Sequence, residues 1–212
     1  FYQTSVKFVP GTVFKDAVIS GDLAITTLTK IPGNETIERV EYVNGNVYEN
    51  VHVEDICMNM VPPHLFRSIR KKYQKLIEQN GSMEDIKTYK NVDKVFIALI
   101  RGNPGSNDFW TFFSTIDPKK NITDNKDKLG LIIKDSESKE FTYNYLETKF
   151  ARYALSMVKT NQINDRGELK AVPLMPFTKK YSDEELFDLI GLTQEERDII
   201  NQTIPHWDHY GK

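Results

Sequence analysis

FTYNYLETKFARYALSMV, residues 141–158, is the stretch that decides how the C-terminal half of this chain folds. Its apolar residues recur at spacings of three and four, the periodicity of a helix with one buried side. These residues are Tyr143, Leu146, Phe150, Tyr153, Ala154, Met157 and Val158. The pattern predicts one amphipathic helix from Tyr143 to about Lys159. The other side of that helix is predicted to be basic and solvent-facing, and it carries Lys149, Arg152, Ser156 and Lys159.

Two capped helices are predicted to close the fold, after an extended segment at residues 172–177. Residues 182–185, Ser-Asp-Glu-Glu, and residues 193–196, Thr-Gln-Glu-Glu, each place a hydroxyl and a carboxylate three residues apart. That spacing is typical of a capping box, in which both side chains bond free backbone N–H groups at a helix start. Gly191 is expected to end the first of the two helices.

The N-terminal residues alternate between apolar and polar side chains in the manner of strands. The predicted strands are residues 4–9, 21–28, 37–43 and 47–53. Asn44-Gly45, between the last two strands, predicts a hairpin turn because both turn positions tolerate positive φ. The sequence therefore predicts a β-rich segment over residues 1–60.

A second amphipathic helix is predicted over residues 64–77, with Pro62-Pro63 at its start. Its apolar side consists of Phe66, Ile69, Tyr73, Leu76 and Ile77. Its other side carries Arg67, Arg70, Lys71, Lys72 and Lys75, with no acidic residue among them. Such a helix suits a DNA backbone, since lysine and arginine neutralise phosphates. An ordinary basic, solvent-facing helix gives the same pattern.

A buried strand is predicted over residues 93–100, followed by a loop at residues 101–108 with the sequence Arg-Gly-Asn-Pro-Gly-Ser-Asn-Asp. The side chains of this loop that can bond base edges are Arg101, Asn103, Ser106 and Asn107. Arginine pairs with guanine and asparagine with adenine. We therefore expect the loop at residues 101–108 to read bases. Further strands are predicted at residues 111–116 and 130–134.

The composition, with 39% hydrophobic and 11% aromatic residues in 212, is typical of a globular protein. No apolar run approaches the roughly 18 residues of a membrane span, so we expect no membrane partner. The one cysteine, Cys57, excludes an internal disulfide and indicates a reducing cytoplasm. Because the first residue is Phe, we expect a fragment of a longer protein.

Charge is unevenly distributed along the chain. Residues 1–62 hold 4 basic and 8 acidic residues, residues 63–180 hold 22 and 14, and residues 181–212 hold 2 and 8. The middle is therefore net basic between two acidic ends. A basic middle favours a polyanionic partner such as nucleic acid, although solvated surfaces produce the same blocks.

Five segments in the last third of the chain carry a resemblance to a known family. They are residues 148–155, 159–162, 172–174, 181–187 and 191–196. In this order they resemble the C-terminal end of adenine-specific DNA methyltransferases of restriction–modification systems, the Eco57I-like group. Tyr181, Phe187 and Pro176 depart from that family, which often has Trp, Tyr and an acidic residue there.

The resemblance implies that residues 61–212 form a DNA target-recognition domain. Residues 1–60 are then either the end of the catalytic methyltransferase domain or a small antiparallel sheet of the module itself. The family also uses S-adenosylmethionine, a glycine-containing loop for it, and an Asn/Asp-Pro-Pro-aromatic motif. Neither motif is found, since residues 103–106 lack the second proline and Val61 precedes Pro62-Pro63. We therefore expect a non-catalytic fragment that holds no cofactor.

Two alternatives stay open at this point. The basic middle and the acidic ends also suit a module that binds other proteins. A magnesium-dependent nuclease needs Glu-x-Lys with an upstream Asp on one strand face. Glu137-Ser-Lys139 has these letters, with Asp127 or Asp135 upstream. Glu147 and Lys149 have them too, but on a predicted helix their side chains diverge.

The sequence thus predicts an α+β protein that recognises duplex DNA beside a catalytic methyltransferase domain of the same polypeptide. Helix residues would hold phosphates and loop residues would read bases. The predicted helix contacts are Arg67, Arg70, Lys71, Lys75, Lys149, Arg152 and Lys159. The predicted loop contacts are Arg101, Asn103, Ser106 and Asn107.

Overall fold

The fold is α+β, as predicted. A computed structural model describes residues 2–10, 22–29, 35–57, 60–85, 96–101, 128–133, 135–158 and 167–204. The strands are β1 (Tyr2–Pro10), β2 (Asp22–Thr29), β3 (Thr36–Glu41), β4 (Val47–His52), β5 (Phe96–Arg101) and β6 (Lys128–Ile133). The helices are α1 (Pro63–Asn80), α2 (Ser136–Glu147), α3 (Lys149–Ser156), α4 (Asp183–Leu189) and α5 (Gln194–Thr203).

The chain divides into two compact units, residues 1–70 and residues 71–212. The division falls inside α1, after Arg70, whereas the sequence placed a boundary at residue 60. None of the described helices combines the length and the apolar character needed to cross a membrane.

The N-terminal unit is built on a four-stranded sheet with the order β2-β1-β3-β4. β1 pairs antiparallel with β2 and parallel with β3, and β3 pairs antiparallel with β4. The sheet is therefore mixed, so the alternative of a purely antiparallel sheet is wrong. Its buried core consists of Val6, Phe8, Ile37, Val40, Tyr42 and Val51. Burial raises the pKa of Tyr42 to about 12.

The predicted hairpin at Asn44-Gly45 is confirmed, but its turn is wider than two residues. Tyr42 accepts a hydrogen bond from the Gly45 N–H and donates its own N–H to the Asn46 carbonyl. Only Gly45 of the two predicted turn residues has positive φ, at 84°. This is the three-residue loop in which a glycine follows a type I turn, and the same glycine explains why both sequence and structure favour a hairpin here.

The alternation of buried side chains changes phase in the middle of β3 and β4. Ile37 and Val40 are both buried although they lie three residues apart. Asn50, within β4, has a φ of 53°. Asparagine is one of the few residues that adopt this conformation readily, so the irregularity falls where the sequence tolerates it.

The core of the C-terminal unit is aromatic. The rings of Tyr73 in α1 and Phe150 in α3 stack with centroids 4.5 Å apart, and the Tyr73 hydroxyl donates to the Phe150 carbonyl at 3.0 Å. The Tyr145 hydroxyl donates to the Pro173 carbonyl at 2.7 Å. All four residues are buried. Because both of these hydroxyls have an acceptor, Tyr73 and Tyr145 are buried without the cost of an unmade hydrogen bond.

The prediction of one long helix over residues 143–159 is wrong, since two helices occupy this stretch. α2 begins earlier, at Ser136, where the Asp135 carboxylate accepts from the Ser138 N–H at 2.7 Å. Thr148 interrupts the stretch with extended backbone, ψ 149°, and its hydroxyl accepts from the Ala151 N–H. Thr148 therefore caps the start of α3 and separates it from α2, where a single continuous helix was predicted.

Both predicted caps at the C-terminal helices are confirmed. Ser182 caps α4 by accepting from the Glu185 N–H, and Thr193 and Glu196 form a complete capping box at α5. α4 ends where Gly191 takes a φ of 65°. The N–H of Gly191 bonds the Asp188 carbonyl and the N–H of the next residue bonds that of Phe187, which is a Schellman motif.

β5 and β6 form a two-stranded antiparallel sheet, and α2 packs against both strands. The strands predicted at residues 93–100 and 130–134 are confirmed with shifted bounds. The strand predicted at residues 111–116 lies outside the described residues.

Candidate nucleic-acid interface

Arg67 and Arg70 bond acidic residues of the N-terminal unit. The Arg67 guanidinium bonds the carboxylate of Asp55, whose side chain is only 2% exposed. Arg70 bonds the Glu54 carbonyl at 2.6 Å and the Glu54 carboxylate at 2.9 Å. The hydrogen bond to Asp55 raises the pKa of Arg67. Both arginines are therefore engaged in holding the turn at residues 53–55 against α1.

Lys72 bonds the C-terminal helices. Its Nζ donates to the Gly191 carbonyl at 2.8 Å and to Oε2 of Glu196 at 2.5 Å. The same Glu196 oxygen accepts from the Thr193 N–H at 2.7 Å. Since Glu196 is buried, this lysine neutralises a carboxylate that has little access to water. Lys72, one of the five basic residues whose sequence pattern suited a DNA backbone, is therefore engaged within the chain.

Lys71 and Lys75 remain as exposed cations on α1. Within the part of the chain that the structure describes, their side chains form no ion pair or hydrogen bond. They are four residues apart, so they lie one above the other on the same side of the helix. Gln74, also exposed, lies between them, and Glu78 at the next turn limits the basic surface on its C-terminal side.

The predicted basic outer surface of the long helix is wrong in its two central members. Arg152 is 1% exposed and Ser156 is 8% exposed, because every residue from Phe150 to Ser156 is buried. Lys149 is half-buried, and its Nζ bonds the Asn201 side-chain oxygen at 2.9 Å. Arg152 is thus part of the protein interior and offers no surface for a phosphate in this structure.

Arg101 is the last residue of β5, where the sequence made it the first residue of a loop. The register pairs it with Lys128, the first residue of β6. Four predicted contacts lie outside the described residues: Asn103, Ser106, Asn107 and Lys159. The sequence gives no sign that Lys128 lies opposite Arg101, because only the strand register pairs them.

The structure does not place the predicted nuclease residues on one face of a strand. Glu137 and Lys139 lie on α2, not on a strand as that alternative requires. Residues two apart on a helix point about 200° apart and do not converge on a metal. Asp135 caps the same helix. Among the residues that the structure describes, no group of three or more potential metal ligands is found.

α4 and α5 present an acidic surface. Its exposed members are Glu184, Glu185, Asp188, Glu195 and Asp198. Arg197 partly neutralises it by bonding Glu184 at 2.8 Å and Asp188 at 2.5 Å. Such a surface repels duplex DNA, so α4 and α5 do not suit a nucleic-acid interface.

Asp183→Asn should change how stability depends on pH. The Asp183 carboxylate accepts from the Phe150 N–H at 2.9 Å, and burial raises its pKa above the ordinary value of 3.8. The folded state therefore binds this proton more tightly than the unfolded chain. The resulting stabilisation is complete below pH 3.8 and is lost as the pH rises through the folded-state pKa.

Asparagine keeps the acceptor and has no charge to desolvate. We therefore expect the stability of Asp183→Asn relative to the natural chain to increase between about pH 3 and pH 7, measured by urea unfolding. Asp183→Ala is the control, and it should be less stable than the asparagine variant by about 1 kcal/mol because the hydrogen bond to the Phe150 N–H is lost. A difference that does not vary with pH would contradict the raised pKa.

Comparison with known proteins gives no relative from which a role for these residues could be transferred. No protein-family model, curated protein or solved structure matches the chain. The candidate interface has two exposed lysines on α1, and the strand register pairs two basic residues at the end of β5 and β6.

Proposed function

We propose that this chain binds duplex DNA, with Lys71 and Lys75 of α1 on the phosphate backbone. The observation that carries the proposal is the contrast among the five basic residues of the helix. Arg67, Arg70 and Lys72 bond acidic residues of the same chain. Lys71 and Lys75 are exposed and have no such partner among the described residues.

The spacing of the two lysines suits a DNA strand. Four helical residues rise about 6 Å, and a DNA strand carries one phosphate per roughly 3.4 Å of its axis. The pair can therefore reach neighbouring phosphates of one strand without distortion of the helix. Gln74, exposed between them, adds a side-chain amide of the kind that often donates to phosphate oxygens.

The proposal extends to target recognition for an adenine-specific methyltransferase. Its support is the family resemblance of the last third of the chain and the composition of residues 101–108. Asn103, Ser106 and Asn107 are the proposed base contacts. S-adenosylmethionine and methyl transfer would belong to a catalytic domain of the same polypeptide, which would flip the adenine out of the duplex.

The double variant Lys71→Ala/Lys75→Ala should weaken duplex binding in a salt-dependent manner. Each lost phosphate contact reduces the slope of log affinity against log salt concentration by about 0.9, so we expect a reduction of about 1.8. The measurement is a fluorescence-anisotropy titration between about 50 and 200 mM salt. Since phosphates carry no sequence information, the loss should be the same for all duplexes.

Lys170→Ala/Lys180→Ala is the control, because both lysines are exposed in the same unit outside α1, and Lys170 already has an ion pair with Glu84 at 3.7 Å. It should retain the natural slope. An unchanged slope of log affinity against log salt concentration in the Lys71→Ala/Lys75→Ala variant would contradict the proposal. So would the absence of duplex affinity of the natural chain at low salt.

The alternative function is docking of another protein on α4 and α5. The observation in its favour is Leu189, which is 55% exposed beside the acidic residues of α4. The same titration separates the two functions, since a module that only docks proteins shows no duplex affinity.

A further inference from the structure

β2 is an outer strand of the N-terminal sheet. Among the strands that the structure describes, it pairs only with β1, and β4 is the outer strand on the other side. Four consecutive side chains of β2 are exposed: Ala24, Ile25, Thr26 and Thr27. Ile25 is 56% exposed. Because successive side chains of a strand point to opposite faces of the sheet, β2 is open to solvent on both faces.

The side chains of β2 on the core face of the sheet lie beside the core, not within it. Thr26 is directly opposite Val6, and Ala24 is directly opposite Phe8. Directly opposite residues of two paired strands share a face of the sheet. Val6 and Phe8 are buried, whereas Thr26 and Ala24 are exposed. The pairing of β2 with β1 therefore extends the sheet beyond the core that supports it.

The two outer strands of this sheet differ in how they resist pairing with another strand. An outer strand presents unpaired backbone N–H and C=O groups, and proteins protect such strands with charged side chains or irregular backbone. β4 has both, since Glu49 is exposed and Asn50 has a φ of 53°. In contrast, residues 23–29 contain no charged residue. Of the two outer strands, β2 is therefore the one that suits the addition of a further strand.

The lack of charge in β2 suits a second copy of the same strand. Two copies of a strand related by a two-fold axis pair antiparallel, and one residue then lies opposite its own copy. A charge near the axis would face the same charge on the other copy, which destabilises the pairing. With Thr26 on the axis, threonine faces threonine, and Ile25 faces Thr27 of the second copy. Threonine pairs and pairs of β-branched side chains stabilise neighbouring strands.

We propose that β2 is a self-association edge, at which a second copy of this chain adds its own β2 antiparallel with Thr26 on the two-fold axis. Backbone hydrogen bonds between the two strands supply the affinity, as in other cases of strand addition. The contact joins the two N-terminal sheets into one continuous sheet and covers Ile25 of each copy. Because one strand buries little area, the association is weak and depends on concentration.

The charge at position 26 provides the test, with sedimentation velocity as the measurement. The natural chain should change from monomer to dimer as its concentration rises. Thr26→Lys and Thr26→Glu each place two like charges opposite each other, so either variant alone should lose dimer formation. A mixture of the two variants should dimerise again, because lysine then faces glutamate. Val47→Lys is the control on β4, where Val47 is 40% exposed, and it should dimerise as the natural chain does.

Hydrogen exchange of the natural chain gives a second readout that needs no substitution. The amides of β2 that do not bond β1 should exchange rapidly in dilute protein and slowly at concentrations where the dimer forms. The amides of β4 should exchange equally fast at both concentrations.

Three results would overturn the self-association edge. They are a natural chain that stays monomeric up to about 100 μM, a dimer that Thr26→Lys leaves intact, and a mixture of Thr26→Lys and Thr26→Glu that stays monomeric. None of these experiments contains DNA. Failure of this proposal is therefore distinguishable from failure of the DNA contacts proposed for α1.

Discussion

Phe150→Ala should lower the free energy of unfolding of the C-terminal unit by about 3–5 kcal/mol. Phe150 is fully buried, and its ring lies 4.5 Å from that of Tyr73 and 6.3 Å from that of Tyr145. Truncation removes the apolar surface of the ring and leaves a cavity between two tyrosines. Neither tyrosine can collapse into that space easily, because both hydroxyls are bonded to backbone carbonyls.

The measurement is urea unfolding monitored by hydrogen exchange, so that the two units are followed separately. Phe150→Leu keeps most of the side-chain volume, so its free energy of unfolding should fall less than that of Phe150→Ala. It loses mainly the ring stacking, which contributes about 0.5–1.5 kcal/mol. Val158→Ala, at a residue 44% exposed shortly after α3, should change stability by less than about 0.5 kcal/mol. A loss in Phe150→Ala no larger than that of Val158→Ala would contradict the packing.

Glu196→Ala should lower the free energy of unfolding by about 3 kcal/mol. The Glu196 carboxylate accepts from Lys72 and from the Thr193 N–H, and its side chain is 2% exposed. Its removal leaves the Lys72 ammonium, only 25% exposed, without this carboxylate. It also removes half of the capping box at α5. Loss of one partner of a buried pair costs more than the pair contributes, since the remaining charge stays desolvated.

Glu195→Ala is the matched control, because Glu195 is exposed on the first turn of the same helix. It should change stability by less than about 0.5 kcal/mol. The double variant Lys72→Met/Glu196→Leu should recover most of the loss, since no buried charge is left without a partner. If Glu196→Ala and Glu195→Ala are equally stable in thermal unfolding, Lys72 and Glu196 do not form the pair seen in the structure.

Local signals in the sequence predicted local features well. The caps at Ser182 and Thr193, the helix end at Gly191 and the hairpin at Gly45 each depend on residues within a few positions of one another. Their side-chain and backbone bonds are made inside the same short stretch. Such features can be derived from spacing alone.

Features that depend on distant residues were not predictable in this way. The apolar spacing continues from Leu146 to Phe150, so it does not reveal the interruption at Thr148. The partner that stabilises the new helix start, Asp183, lies 33 residues away from Phe150. Periodicity also cannot tell how many sides of a helix are covered, and α3 is covered on all of them, with Arg152 inside.

The candidate interface shows the same limit. The five basic residues of α1 are evident from the sequence, but the sequence does not show which of them bond acidic residues of the same chain. Asp55 is 12 residues from Arg67, Glu54 is 16 residues from Arg70, and Glu196 is 124 residues from Lys72. The structure therefore reduces the five cations to two that are exposed and without partners among the described residues.

The bond between Lys72 and Glu196 has a consequence for synthesis on the ribosome. A chain elongates at roughly 5–20 residues per second, so the 124 residues between the two partners take about 6–25 s to be added. All strands of the N-terminal sheet precede Lys72 in the chain. The sheet can therefore complete its hydrogen bonds early, whereas Lys72 bonds Glu196 only after α5 has been translated. During that interval Lys72 lacks the carboxylate that it bonds in the folded chain.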